Sequence, residues 1–548
     1  MAAGKKKTKK NKKAPVEVVD TVSVDTFSYA CGKANTQGLK AYLAQRLGMD
    51  TTYMEDFMKG FDQILLTEAD KKAKEEIEKR LQIVASAGNL SRADGTVTQV
   101  FESNNDYEKN LKLARAVVGY GHKSIAEHDY IVFALEDVTP IIEQIIIGYR
   151  LTSFTIKSRR NVDFRNVGFY IPDFHDKDGN VLKNNEALQK QYKVYMQSLF
   201  DKYGELVDEE IPVEDCRYIL PYCYHSNIIM GCDANELLRI TSDMLYGKIS
   251  RIPEVKELGE KFSQMITEKA PYLVRALEAE KDKDYYEDKF EFLDEMIPKT
   301  GGWSGRDIET GVLLDGVNMT DYTKLADWKV LCNIIATRYQ VSMEDAAELL
   351  HQLMDQESCI KRKLMQALIH SKNQRELEQI IFSFEIPISL AVLTHITRHR
   401  MHSLLVPDFV PLWNMENYVT PETVAKNHQA EYDEIFSNNA LMVEDFKKQG
   451  VRDEDLIYFY LSGNACNIYT TMNARTLEWI SRMRCCNKAQ WEIRNIANSM
   501  VDQAKKVAPL IGEGLGPYCK VMGYCPEGKD SCKARGVVVL SKKPKDIK

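Results

Sequence analysis

No apolar run in this chain approaches the length needed to cross a bilayer, so an integral helical membrane protein is excluded. The N-terminus, MAAGKKKTKKNKKAP, is basic but lacks the apolar stretch of a secretory leader. A cytoplasmic protein is therefore the expectation. Its 12 cysteines, without an export signal, are expected to be thiols or ligands and not a disulfide framework. Paired cysteines at zinc-site spacing, about two to four residues apart, are also missing. Cys519, Cys525 and Cys532 follow one another in GPYCKVMGYCPEGKDSC, downstream of Cys485 and Cys486, at other intervals. No metal is predicted.

Excess positive charge is absent overall, with a net charge of −7, yet seven lysines lie within residues 1–13. Subtracting them leaves about −14 on the remainder. The tail is a local basic patch on an acidic body. It could touch nucleic acid or an anionic surface, but a solvated leader over 1–20 is the expectation, and nucleic acid is not predicted as a partner.

What is present fits a soluble globular protein with sizeable cores, at 44% hydrophobic and 28% charged residues. A length of 548 residues allows two or three domains. Residues 21–80 read as a helical extension, with Leu39, Tyr42, Leu43 and Leu47 on one face. Within it, FSYACGKANTQGLKAYLAQRLGMDTTYMEDFMKGF resembles the helical dimerisation segment of FKBP-type peptidyl-prolyl isomerases. That resemblance covers about one tenth of the chain, implies an oligomerisation arm, and carries no isomerase activity with it.

From residue 81 onward the sequence repeats. Leu81–Val84 and Trp328–Leu331 read as short buried strands, and a histidine follows 41 residues after Leu81 (His122) and 42 after Trp328 (His370). Each half then has an apolar segment ending in a basic element, Gly148-Tyr149-Arg150 or Arg398-His399-Arg400. Later come two long helices, in DANELLRITSDML and MNARTLEWISRMR. Matching order and spacing predict a diverged duplication. The expected domains are 81–290 and 326–515, joined by a linker at 291–325 and followed by a cysteine-containing tail at 516–548. The fold class is α+β in each half.

Arg398-His399-Arg400 followed by Ser403, with MNARTLEWISRMRCCNKAQWEIRNIA downstream, resembles the signature and C-terminal block of the flavin-dependent thymidylate synthases. The chain resembles two tandem, diverged copies of that fold. The resemblance implies FAD as cofactor, NADPH and methylenetetrahydrofolate as co-substrates, and methylation of dUMP. It places Arg398, His399, Arg400, Ser403, Asn473 and Arg475 near the flavin, and Arg484 against the ionised uracil as the catalytic group. Guanidinium groups suit both anions because they stay charged and donate in a planar fork.

The first copy keeps other pieces. GHKSIAEH places His122, Ser124 and Glu127 on the family's flavin segment. Arg150, Ser158, Arg160 and Arg217 match its nucleotide-binding positions. Gly148 and Tyr149 replace the leading Arg-His of the basic triad here, while in the second copy Asp408, Val410 and Ile457 replace the nucleotide-binding Ser, Arg and Arg. Neither half is complete, so a composite site is expected, in a chain that pairs as a homo-oligomer. Two other readings stand beside this one: a diverged flavoprotein with another nucleotide substrate, and a non-catalytic assembly or nucleic-acid-binding protein.

Overall fold

A computed structural model describes residues 74–286, 289–290, 292–296, 311–532 and 538–539. The Lys-rich leader, and the helical extension as far as residue 73, lie outside the described residues. By internal contacts the chain forms two compact units. One holds residues up to 136 with 229–242 and 260–282; the other holds 137–228, 243–259 and 283–548. The second unit thus takes in residues of both expected domains.

In the first unit a helix spans 74–90, where strands had been expected at 81–84. Leu81, Val84 and Ala85 are buried and Ile83 is exposed. That is the spacing of one helical face, and a four-residue segment inside a longer amphipathic run is not enough to make a strand. Arg80 Nε donates to Asp129 at 2.6 Å, and the Tyr272 hydroxyl donates to the same carboxylate at 2.8 Å. Trp328–Leu331 is corrected in the same way. It lies in a helix, Ala326–Tyr339, with Val330 and Leu331 buried.

The two halves of the chain run through the same order of elements. The first has β1 (Tyr130–Val138), α1 (Pro140–Gly148), β2 (Ser153–Ile156), the long α2 (Asn185–Asp208), β3 (Ser226–Asp233), α3 (Ala234–Tyr246) and α4 (Pro253–Lys269). The second opens with β4 (Asn318–Tyr322) and α5 (Ala326–Tyr339). It then gives β5 (Ile381–Ser389), α6 (Leu390–Thr397), β6 (Ser403–Leu405), the long α7 (Glu422–Lys448), β7 (Ala465–Asn473), α8 (Ala474–Arg484) and α9 (Trp491–Val507).

The sheet of the second unit has strand order β4-β5-β7-β6, with antiparallel pairing throughout. Along β5, Phe382, Phe384, Ile386 and Ile388 are buried, the alternation of a strand with one face on a core. β4 lies in the segment read from composition as linker. Its polar sequence, NMTDY, is tolerable because it is an edge strand with solvent on one side.

Segments of both halves interlock inside this unit. Tyr222 N donates to Tyr460 O at 2.7 Å, Ser462 N to Leu220 O at 2.9 Å and Gly463 N to Tyr218 O at 2.6 Å. Two glutamates repeat one arrangement. Glu254 accepts from Thr139 N (2.9 Å) and Thr139 Oγ1 (2.7 Å) ahead of α1, and from Tyr458 of the other half (3.1 Å). Glu492 accepts from Ser389 N (2.8 Å) and Ser389 Oγ (2.7 Å) ahead of α6, and from Tyr218 (2.6 Å). Each carboxylate satisfies an otherwise orphaned helix N-terminus, where negative charge is favoured.

Candidate active site

The site is built around α6 in the second unit. Its sequence, LAVLTHIT, is apolar nearly all round, so the helix is buried. The exception is His395, one turn before Arg398, which caps the C-terminus. Burial pushes the His395 ring well below its ordinary pKa, and the charges of Arg217, Arg484, Arg160 and Arg398 push it further. Its Nδ1 is buried with no hydrogen-bond partner, and so is Nη2 of Arg217. Two unmet polar nitrogens with four guanidinium groups acting on them are chemistry suited to an anion.

Arg217 and Arg160 come from the first half. Arg217 is 2% exposed and donates from Nε to Glu214 O at 3.1 Å. Burial, with Arg159 and Arg160 nearby, lowers its pKa to about 10. Arg160 pairs with Glu214 at 2.6 Å and reaches the Lys488 carbonyl, in the second half, at 3.2 Å. Ser158 lies beneath it, its Oγ accepting from Arg160 N at 3.4 Å and from Asn161 at 3.2 Å.

Arg484 closes α8, whose N-cap Asn473 accepts from Thr476 N at 2.8 Å, a contact worth about 1 kcal/mol. Arg484 Nε donates to His399 Nε2 at 3.0 Å. An Nε2 that accepts must be unprotonated, so neutral His399 carries its proton on Nδ1. Burial, then Arg484, His402 and Arg398, push the His399 pKa down to about 3. Burial, Arg398 and Arg160 lower Arg484 to about 10. Burial is the main cause of each shift and neighbouring positive charge the next, and it is this second part that an arriving anion would relieve.

The other expected residues are placed as follows. Arg398 is exposed and forms no ion pair among the described residues. Arg400 donates to the carbonyls of Thr152 and Arg150 (3.3 Å to the latter). Arg150 is exposed, and only this carbonyl ties it to the group. Ser403 pairs with Thr471 in the sheet. Asn473 is committed to its cap, and Arg475 to an ion pair with Glu378. His122, Ser124 and Glu127 are exposed at a 3₁₀ turn of the first unit, and Glu127 accepts from Asn235 at 3.4 Å. The structure therefore brings Arg160, Arg217, Arg398, His399 and Arg484 together, and commits Asn473 and Arg475 to local contacts.

Sequence reading missed His395 and Arg159. His395 had a signal, a lone histidine inside an apolar helix one turn before the basic triad. Arg159 is 7% exposed, pairs with Glu143 at 2.6 Å and approaches Thr394 of α6 at 3.5 Å. Overshadowed by Ser158 and Arg160, it had no signal of its own.

The arrangement is a cluster of cations at the end of a buried helix, chemistry that suits an anionic ligand. A family model described as thymidylate synthase complementing protein matches residues 74–272 and 319–510. The chain belongs to this family. It is 34% identical over 194 residues to a flavin-dependent thymidylate synthase of Clostridium tetani, covering 31% of this chain and 76% of that protein. It is 30% identical over 176 residues to one from Nitratidesulfovibrio vulgaris (30% and 71%). With one from Thermococcus onnurineus it shares 32% over 165 residues (28% and 67%).

Proposed function

We propose that this chain is a FAD-dependent thymidylate synthase with one composite site, methylating dUMP to dTMP with methylenetetrahydrofolate as carbon donor and NADPH as reductant. The observation that carries this is the convergence on His395 of Arg160 and Arg217 from one half with Arg398 and Arg484 from the other. In this reading the two halves are tandem copies standing in for two subunits, supported by their common element order and the reciprocal Glu254 and Glu492 contacts. Pairing of two chains would complete a four-copy assembly.

Arg160 and Arg217, with Ser158 and Arg150 alongside, are assigned to the nucleotide phosphate. The spare donor of Arg217 and the crowded charge both favour a dianion there. Arg484 is assigned to uracil N3. Its Nε is fixed by neutral His399, so the fork is held in one orientation and its charge is undiluted. Such a preorganised cation in a water-poor site stabilises charge that develops during reaction. The cysteines beside it need no catalytic part: burial raises the Cys485 thiol to about 12.

FAD, when bound, would supply hydride transfer. Arg398 fits an anionic cofactor best, being exposed and unspent on any carboxylate among the described residues. Arg400, His399 and Ser403 of the same unit are the remaining proposed contacts.

The test is complementation of a thymidine-requiring strain by wild type, Arg160→Ala and Arg484→Ala. Wild type should rescue and both variants should fail. Rescue by Arg160→Ala as good as wild type would make the second half sufficient alone. Bound flavin without rescue by wild type would favour another nucleotide substrate; no flavin uptake at all would favour a non-catalytic role. In binding assays Arg160→Ala should weaken dUMP by about 1.5–3 kcal/mol, the range for a charged hydrogen bond. Arg484→Ala should instead lower kcat.

A further inference from the structure

The loop that carries Arg217 is too short to hold its own shape. It is a four-residue helix, Val213–Cys216, followed by one 3₁₀ turn, Arg217–Ile219. Helical segments of that length are marginal without tertiary contacts. Arg217 Nε donates to the Glu214 carbonyl of the same loop, so the direction of its fork follows this backbone. Arg160 is tied to the same residue, through the Glu214 carboxylate at 2.6 Å. Whatever fixes residues 214–218 therefore fixes both arginines.

The anchors come from the other half of the chain. Gln490 caps α9, its Oε1 accepting from Glu492 N at 2.8 Å and Ile493 N at 3.2 Å. Its Nε2 donates to the Tyr218 hydroxyl at 2.8 Å, and that hydroxyl donates to Glu492 at 2.6 Å. Trp491 stacks on the Tyr218 ring, with 6.0 Å between centroids and 15° between planes. Its indole Nε1 donates to Asp215 Oδ1 at 2.9 Å, and Thr423 Oγ1 donates to Oδ2 at 2.7 Å. The loop is thus pinned on both sides of Arg217.

The turn that leads from Arg484 to these anchors is braced as well. Arg494 donates to the carbonyls of Asn487 at 2.9 Å and Ala489 at 3.4 Å. Lys488 O, in the same turn, accepts from Arg160 at 3.2 Å. Asp215, Tyr218, Gln490 and Glu492 are all buried, where a hydrogen bond is costly to lose. Given the assignment of Arg160 and Arg217 to the nucleotide phosphate and of Arg484 to uracil, on which the inference rests, we propose that Asp215, Tyr218 and Trp491 are positioning residues. They hold the two phosphate-binding forks in register with Arg484, acting through the backbone at 214–218. A phosphate and a base joined in one nucleotide require their protein partners at one fixed separation, and small misplacements are costly.

The experiment titrates the full chain, in the presence of FAD, with dUMP, deoxyuridine and inorganic phosphate. Trp491→Phe keeps a ring on Tyr218 and deletes only the indole N–H. It should weaken dUMP about tenfold, the equivalent of one hydrogen bond to a charged group, and raise KM with kcat little changed. Deoxyuridine, which lacks the phosphate, should bind this variant as it binds the wild type. Asp215→Ala should behave like Trp491→Phe. Asp215→Asn should stay near the wild type, because its amide oxygen accepts from Trp491 while its NH₂ donates to Thr423. A merely structural role would lower the unfolding midpoint of Trp491→Phe and leave the ratio of dUMP to deoxyuridine affinity intact; that result overturns the proposal. So does an Asp215→Asn variant as weak as Asp215→Ala. If Asp215→Ala fails to fold, Trp491→Phe decides alone. A wild type that takes dUMP no better than inorganic phosphate defeats the thymidylate synthase reading instead. Positioning is then judged on phosphate, which Trp491→Phe should weaken by the same factor. A wild type that binds neither defeats both.

Discussion

His399 and His402 are histidines kept neutral by their surroundings. Burial, with Arg150 nearby, pushes His402 down to about 4, and its Nδ1 is 2.7 Å from Thr470 Oγ1. Unfolding would return both rings toward about 6.5. Between that value and the folded values of about 3 and 4, the unfolded chain binds more protons, so stability must fall as pH falls. Each ring is expected to contribute a slope of up to about 1.4 kcal/mol per pH unit in that window. Denaturant unfolding from pH 7 to 4.5 should show a shallower slope for His402→Gln than for wild type; equal slopes would reject the assignment. The basic triad itself was legible in the sequence. The neutrality of its central histidine was not, because burial and the approach of Arg484 are tertiary facts.

At the level of elements, the reciprocal glutamates are the joints between the halves. Tyr218→Phe removes one hydrogen bond to Glu492 and also the acceptor of Gln490 Nε2, 2.8 Å away. A loss of about 1–3 kcal/mol is expected by chemical denaturation. Tyr458→Phe, facing Glu254, should cost a similar amount, and the two losses should add if the joints act independently. Gly463 is a second joint. A Cβ there would stand 2.8 Å from both Phe436 Cζ and the Tyr432 hydroxyl and 3.0 Å from the Tyr218 carbonyl. Gly463→Ala is expected to destabilise by about 1–3 kcal/mol through overpacking, read as a lowered midpoint. Longer helices, such as α3 and α8, could be read from sequence. The short apolar runs at 81–84 and 328–331 could not, since four residues fit either a strand or one helical face.

For the whole molecule, duplication would create a second, equivalent position. Here Tyr149 replaces the triad histidine, and its hydroxyl donates to Asp243 at 2.9 Å. Asp408, at the place that matches Ser158, pairs with Lys248 at 3.0 Å. Val410 and the buried Ile457 replace the two arginines. This position offers an anion little. Isothermal titration with dUMP is expected to give one site per chain, and a stoichiometry of two would refute the single-site reading. Among the described residues no helix is long and apolar enough to cross a membrane.

The sequence by itself determined the element order that the two halves share and the basic triad with its downstream block. These are local or periodic properties, written in residue type and spacing. Tertiary structure alone decided that Arg160 and Arg217 meet Arg484 around His395, that Asn473 and Arg475 are spent on a cap and an ion pair, and that a tail cysteine returns to Asn487. Apart from the local Asn473 cap, these contacts join residues tens to hundreds of positions apart, and no spacing rule spans that distance. They follow only when buried strands and helices fix which ends of the chain come together.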